Sequence, residues 1–270
     1  MVKKNSVIEI VVGQGWAVGY IGFGRRSNHY FADRTSVICK TFRGLCRWKR
    51  RNVVTDTDWE VYTNPVTMTE IYHGETFDST LISTLLGNAV LSDVDTNLVP
   101  QDGEWIREQE RLMPIELIKT PKGETVIDFG QNMTGYVEVK AHGKRGEKIV
   151  IHHAEVLDKK GNFYTANMRG AKNENTYILS GGNDVFKPIY TFQGFRYIKL
   201  VGYNIRENGS ATCSYLFPEW VSGTSKIDRN TEEHFFAERR GGFANAFSND
   251  QDFSLYFLMK MTFDLDGEND

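Results

Sequence analysis

An all-β fold assembled as antiparallel sandwiches is what the sequence predicts, and three observations predict it. Between Thr125 and Tyr203 apolar residues return with a period of two, as in Gly135 to His142 (GYVEVKAH). That is the period at which strand side chains change faces. Turn-forming clusters cut the interval into short runs, with GKRG at 143–146, DKKGN at 158–162 and GGND at 181–184. Nothing there repeats at the three-to-four spacing of a long amphipathic helix. Strands with one apolar face are most simply buried by stacking two sheets.

In chain order, Val7 to Val12 reads as a first strand. Gly13, Gly15 and Gly19 follow it, and Asp33 stands where a ribose ligand of a dinucleotide fingerprint would. The spacing is GxGxxxG, however, and three glycines between Trp16 and Gly24 make a poor helix to face a pyrophosphate. Glycines at turns are the better reading, and no cofactor is expected. Arg43, Arg47, Lys49, Arg50 and Arg51 interleave with Phe42 and Trp48. A solvated hairpin suits them better than a nucleic-acid patch, because the chain lacks a broad positive face. Thr67 to Tyr72 alternates as a strand turned by Gly74 and Glu75. His73, Glu75 and Asp78 lack a fourth ligand at a metal-site spacing, so hydrogen bonds within a turn are expected and no metal. From Asp78 to Glu110 breakers accumulate, which puts a domain boundary near Pro100. The second domain then opens at Leu112 to Leu117. It continues through Gly135 to His142, Glu147 to Glu155, Thr176 to Leu179, Val185 to Phe192 and Arg196 to Val201. Gln193 and Gly194 read as a turn between the last two.

Adjacent residues of a strand face opposite ways, so His152 and His153 cannot share a ligand. His153 and Glu155 share a face and are a candidate pair for a sugar hydroxyl, with a structural hydrogen bond the favoured alternative. Tyr164, Asn167 and Arg169 follow the 158–162 turn in a polar loop, where binding residues collect on a rigid scaffold. They are candidates for contact with a sugar or a neighbouring domain.

The chain of 270 residues is long enough for two domains. Lys plus Arg (32) nearly cancel Asp plus Glu (35), which argues against nucleic acid or an anionic membrane as partner. Cys39, Cys46 and Cys213 form neither an even set nor a metal spacing, which points to a reducing compartment. The first residues lack an apolar signal core, so a cytoplasmic location is expected.

Thr120 to Met133 (TPKGETVIDFGQNM), His153 to Asp158, Gly161 to Thr165, Thr176 to Leu179 and Phe192 to Tyr197 (FQGFRY) resemble the concanavalin-like domain of bacterial alpha-L-rhamnosidases. Gly15 to Gly24, Trp59 and Ile71 to Asp78 resemble the later part of that family's amino-terminal sandwich. The expected organisation is a partial amino-terminal domain (1–99), a concanavalin-like domain (100–204) and an irregular divergent tail (205–270). Around residues 40–52 the likeness weakens, as expected of local divergence or a frame-shifted stretch. The resemblance implies a parent glycoside hydrolase that cleaves terminal alpha-L-rhamnosides with inversion, in a helical barrel carrying a Cys-Pro-Gln-Arg type motif. No such motif follows Tyr203, where the likeness stops. Of Glu116, Asp128, Glu138, Glu155 and Asp158, none falls on a catalytic motif, so no catalytic residue is assigned. The expected partners are carbohydrate and the family's catalytic barrel. The alternative is a free-standing carbohydrate-binding module.

Overall fold

Strands make up nearly every element of the computed structural model, which describes residues 5–21, 28–46, 49–92, 106–203, 209–218 and 257–264. The chain begins with β1 (Asn5–Val11), one helical turn α1 (Gly15–Val18), β2 (Lys40–Cys46), β3 (Lys49–Val54), β4 (Glu60–Thr63), β5 (Val66–Glu70) and β6 (Gly74–Asp78). Next come β7 (Leu85–Asn88), β8 (Ile106–Leu112), β9 (Glu116–Lys119), β10 (Thr125–His142), β11 (Lys148–Ala154), β12 (Val156–Leu157) and β13 (Phe163–Tyr164). A 3-10 turn (Ala166–Met168) leads to β14 (Glu174–Ile178), β15 (Asn183–Phe186), β16 (Gln193–Val201), β17 (Gly209–Pro218) and β18 (Phe257–Asp264). The all-β class expected from the period-two pattern is the class observed. Among the described residues no helix is long and apolar enough to cross a membrane.

The described elements divide into two compact units. One gathers a four-stranded sheet, in the order β1, β18, β4, β7, and the hairpin of β2 and β3. Its core centres on Trp59 and Val53, against which Ile8, Ile10, Val37, Val61 and Ala89 pack. Trp59 is fully buried, and its indole N–H donates to the Val54 carbonyl at 2.9 Å. A buried indole needs such a partner.

The other unit is a ten-stranded sheet along the path β5, β6, β14, β11, β16, β10, β17, β8, with β9 and β15 also paired to β10. β10 is the spine. Its first half pairs with β9 on one side, and its later half with β17 and β15. Its pairing with β16 is interrupted by a shift of register between Asp128 and Met133. Such a bulge bends and twists a strand, which lets one strand serve two groups of partners. Val137, Val139 and Ala141 are buried beyond the bend, as their alternation predicts, and join Ile127, Phe129 and Met133 in one core. Ile149, Ile151, Tyr177, Leu179, Phe186 and Phe195 complete most of it, with Tyr177 stacked on Phe186 at 4.5 Å.

Several boundaries differ from expectation. Gln193 and Gly194, expected in a turn, open β16. β15 stops at Phe186, two residues before Pro188, which cannot donate to a ladder. A single helical turn, Gly15–Val18, stands where a poor helix was expected. The region after Tyr203, expected to be irregular, contributes β17 beside β10 and β18 beside β1 and β4. The β5 and β6 hairpin precedes the boundary expected near Pro100, yet β6 runs parallel to β14, with Thr76 opposite Thr176. By its hydrogen bonds it lies in the second unit. Pro100 itself, Arg47, Trp48 and the charged stretch 232–240 lie outside the described residues.

Two glycines separate close approach from backbone conformation alone. Gly74 has φ +104°, and a Cβ there would collide with the Glu174 carbonyl. Gly123 has φ +82°, with nothing within 4 Å of its Cβ position. Gly123→Ala should lower stability in urea unfolding by about 1 kcal/mol, and Gly74→Ala by more than about 3 kcal/mol.

Candidate functional site

The five sequence candidates do not form one constellation. His153, on β11, is fully buried. Its Nδ1 donates to the Asn173 carbonyl at 2.9 Å, and its ring packs edge-on against Phe195 at 5.0 Å. Burial holds its pKa down to about 4, so the ring is neutral at physiological pH. Contact between His153 and a sugar is therefore corrected to a core role. Sharing a face with Glu155 did not mean sharing a surface, because β11 ends at Ala154. Glu155 instead accepts a hydrogen bond from the Asn167 amide at 3.0 Å.

The loop that follows stays exposed. β12 and β13 form a two-stranded ribbon that sets Val156 opposite Tyr164, and Tyr164 is 38% exposed. Asp158 organises the intervening turn by accepting from the backbone N–H groups of Lys160 and Asn162, each at 2.8 Å. Those bonds, the Asn162 ones foremost, hold the Asp158 carboxyl below its ordinary range. Asn167 lies in the 3-10 turn, and Arg169 caps it with a left-handed φ of +57°. Glu155 and Asn167 are thus brought together, with Tyr164 and Arg169 on the same loop. Among the described residues no group of three His, Cys, Asp or Glu is placed to hold a metal.

Two further polar centres have other roles than expected: Asp128 was left unassigned, and Glu75, expected to bond within its own turn, instead reaches Ile189 and Tyr190. The first is Asp128, buried at the β10 bulge. It takes a two-pronged bond from Arg196, Nε to Oδ1 at 2.9 Å and Nη2 to Oδ2 at 2.8 Å. Its Oδ1 also accepts from the Gly130 N–H at 2.6 Å. The fork joins TPKGETVIDFGQNM to FQGFRY across the β10 and β16 ladder, and Arg matches a carboxylate in this way where Lys cannot. An Asp and an Arg inside apolar runs on two predicted strands were the available signal.

The second is Glu75, fully buried on β6. Its Oε2 accepts from the backbone N–H groups of Ile189 and Tyr190 at 2.9 and 3.1 Å, and its own N–H donates to Asn175 Oδ1 at 3.0 Å. Glu75 Oε1 and the hydroxyls of Tyr177 and Tyr190 are buried without a hydrogen-bond partner. Burial pushes the Glu75 carboxyl above its ordinary range, and the two N–H donors oppose that only in part. Burial and the nearby Glu75 charge together push Tyr190 up. No sequence signal could identify the loop that Glu75 holds, because its partners lie 114 and 115 residues away.

Each centre makes a prediction. Asp128→Ala removes both prongs of the fork and the acceptor of the Gly130 N–H and should cost about 3–4 kcal/mol, whereas Arg196→Lys, which keeps the charge and loses the fork, should cost about 1 kcal/mol. Urea unfolding distinguishes them. A raised Glu75 pKa means that the folded state holds its proton more tightly than the unfolded chain does. Its contribution is complete below the ordinary value of 4.5 and is lost as pH rises through the folded value. His153 runs the other way: its contribution is complete above 6.5 and is lost as pH falls toward about 4. Glu75→Gln should remove the first dependence with no loss of stability at neutral pH. Glu75→Ala, which abandons two N–H groups, should cost about 2–4 kcal/mol. Melting temperatures from pH 4 to 9 check both.

Comparison with known proteins gives one family. The profile of the alpha-L-rhamnosidase N-terminal domain matches residues 1–119, and that of the bacterial alpha-L-rhamnosidase concanavalin-like domain matches 118–223. The second match runs past Tyr203 and takes in β17, so the likeness extends further than the sequence motifs indicated. An alpha-L-rhamnosidase of Streptomyces avermitilis is 30% identical over 213 residues, which are 73% of this chain and 20% of that protein. The crystal structure of the native enzyme from Aspergillus terreus superposes with a TM-score of 0.69 at 26% identity, covering 76% of this chain and 25% of that one. The Streptomyces avermitilis enzyme complexed with L-rhamnose gives a TM-score of 0.68 at 27% identity, covering 76% and 21%. The chain thus spans about a fifth to a quarter of the length of the relatives it matches.

Proposed function

Because the chain belongs to the bacterial alpha-L-rhamnosidase family through its amino-terminal and concanavalin-like domains, we propose that it supplies that enzyme's non-catalytic β-domains. The full enzyme would hydrolyse terminal alpha-L-rhamnosides with inversion, and these domains would support its catalytic barrel. One observation carries the reading: the two profiles matched, an N-terminal and a concanavalin-like domain, follow each other along residues 1–223.

The carboxylates support it. Inversion needs an acid and a base about 6.5–9.5 Å apart across a water-filled gap. Asp128 is locked to Arg196, Glu155 receives Asn167, Asp158 is spent on its own turn, and Glu138 lies 3.4 Å from Arg111. Four of the five carboxylates weighed in the sequence thus have a structural occupation, while Glu116 is exposed on β9. A support role is also favoured by residues 79–92 of the chain, which carry no charged side chain. There Ile82, Val90 and Leu91 are 83%, 91% and 76% exposed, as expected of a surface built to be covered. A free-standing carbohydrate-binding module is the second reading, favoured by the exposed aromatic rings of Tyr30 and Phe31.

The purified chain should release no nitrophenol from a nitrophenyl alpha-L-rhamnoside above the buffer rate. Turnover that follows the protein through successive columns would sink the non-catalytic assignment.

A further inference from the structure

We infer that Glu75, Asn175, Tyr177 and Tyr190 form an internal binding site, and that its ligand is water held as part of the fold. The site lies wholly within the second unit and does not rest on the non-catalytic reading above. Each of the four residues has a side-chain polar atom that is sealed from solvent and lacks a partner within the protein: Glu75 Oε1, Asn175 Nδ2 and the two phenol hydroxyls. Glu75 is 0% exposed, and Asn175 and Tyr177 are 1% exposed. Unpaired polar atoms at such depth cost free energy comparable to a lost hydrogen bond, so four in one neighbourhood need a common partner.

Register puts them in that neighbourhood. β6 runs parallel to β14 with Thr76 opposite Thr176 and Phe77 opposite Tyr177, so Glu75 and Asn175 precede them side by side. Residues two apart on a strand share a face, which sets Tyr177 beyond Asn175 on the side that Glu75 occupies. The Glu75 N–H donates to Asn175 Oδ1 at 3.0 Å, and the Tyr190 N–H donates to Glu75 Oε2 at 3.1 Å. Burial first, and then the Glu75 charge, push both phenols above their ordinary range, as befits groups near that carboxyl.

The donor set selects the ligand. A backbone N–H can only donate, so the oxygen of the Asn175 carboxamide faces Glu75, and its nitrogen brings two N–H donors to the site. Gly74 permits this close approach, since a Cβ there would lie 2.8 Å from Asn175 Oδ1. A cation cannot accept from the Asn175 donors, and an anion is repelled by the Glu75 carboxylate. Water both donates and accepts. It takes the Asn175 N–H, gives to Glu75 Oε1 and turns either way toward a phenol, in keeping with the roughly three bonds a buried water makes. It also serves both states of Glu75, accepting from the neutral acid and donating to the carboxylate, whereas the Ile189 and Tyr190 N–H groups can only donate. Held there, one small molecule joins β6, β14 and the 189–190 stretch.

Tyr177→Phe and Tyr190→Phe, made singly and together in the whole chain, test the site by the sign of their effect in urea unfolding. Both keep the ring, and with it the stacking of Tyr177 on Phe186. Removing a buried hydroxyl that has no partner raises the folding equilibrium constant, whereas removing one bonded to a held water lowers it by about threefold to tenfold. Expected is a fall in each single variant. In the double variant the combined fall should depart from the product of the two, because neighbours that share a partner are coupled. Magnetic relaxation dispersion of the water oxygen nucleus senses whole water molecules held inside a protein and ignores exchanging hydroxyl protons. It should show long-lived water in the parent chain and a smaller contribution in the double variant. An unchanged or raised folding constant in either single variant overturns the site. A fall in stability with no change in the water signal also overturns it, assigning the hydroxyls to direct bonds with the protein. Losses that simply multiply overturn the sharing of one ligand.

Discussion

The charged fork between Asp128 and Arg196 is the constraint on which the second unit depends. A strand of 18 residues cannot follow a small core without bending, and β10 bends where its ladder with β16 slips. A slip in register would normally invite alternatives, since one residue's shift turns every side chain to the other face. Here Asp128 sits at the start of the slip with both carboxylate oxygens committed. The arginine that commits them stands on the strand across the ladder. The bend is therefore fixed by a directional, charge-assisted contact rather than by packing alone, and Val137, Val139 and Ala141 fall on the core side as a result.

Several polar groups in this unit serve architecture. Asp158 shapes a turn, and Glu124 joins Lys199 at 3.0 Å while also accepting from Phe163 N–H at 3.3 Å. Asn162 is buried and accepts from Lys122 N–H at 3.1 Å, tying two turns together. Carboxylates used in this way are poor general acids or bases, because their protons and lone pairs are already assigned. The proposed support role rests on this occupation as well as on family likeness.

Much of this was legible in the sequence where one face of a strand is wet and the other dry. Val137 to Ala141 and the 158–162 turn could be read because burial and backbone chemistry are local there. Gly194 could not. It looks like a turn residue, yet it sits within β16, where Glu155 Oε1 comes within 3.3 Å of its Cβ position. His153 was placed on the correct face and at the wrong depth, because period two reports direction and says nothing about what lies on top. β17 was missed because the order that gives it a place belongs to β10 and β8, each far from it in the chain.

Glu75 on the β5 and β6 hairpin leaves a consequence for how the chain can be taken apart. The hairpin lies well upstream of β8, yet it closes one flank of the larger sheet through β14 and secures the stretch at Ile189 and Tyr190. A polypeptide begun near residue 100 would include most of that sheet and lack its border. β14 would then offer a naked row of amides and carbonyls, an adhesive rim of the kind that recruits stray strands. The hairpin lies in the stretch matched by the N-terminal profile yet pairs within the second unit, so linear boundaries are an unsafe guide to excising either domain.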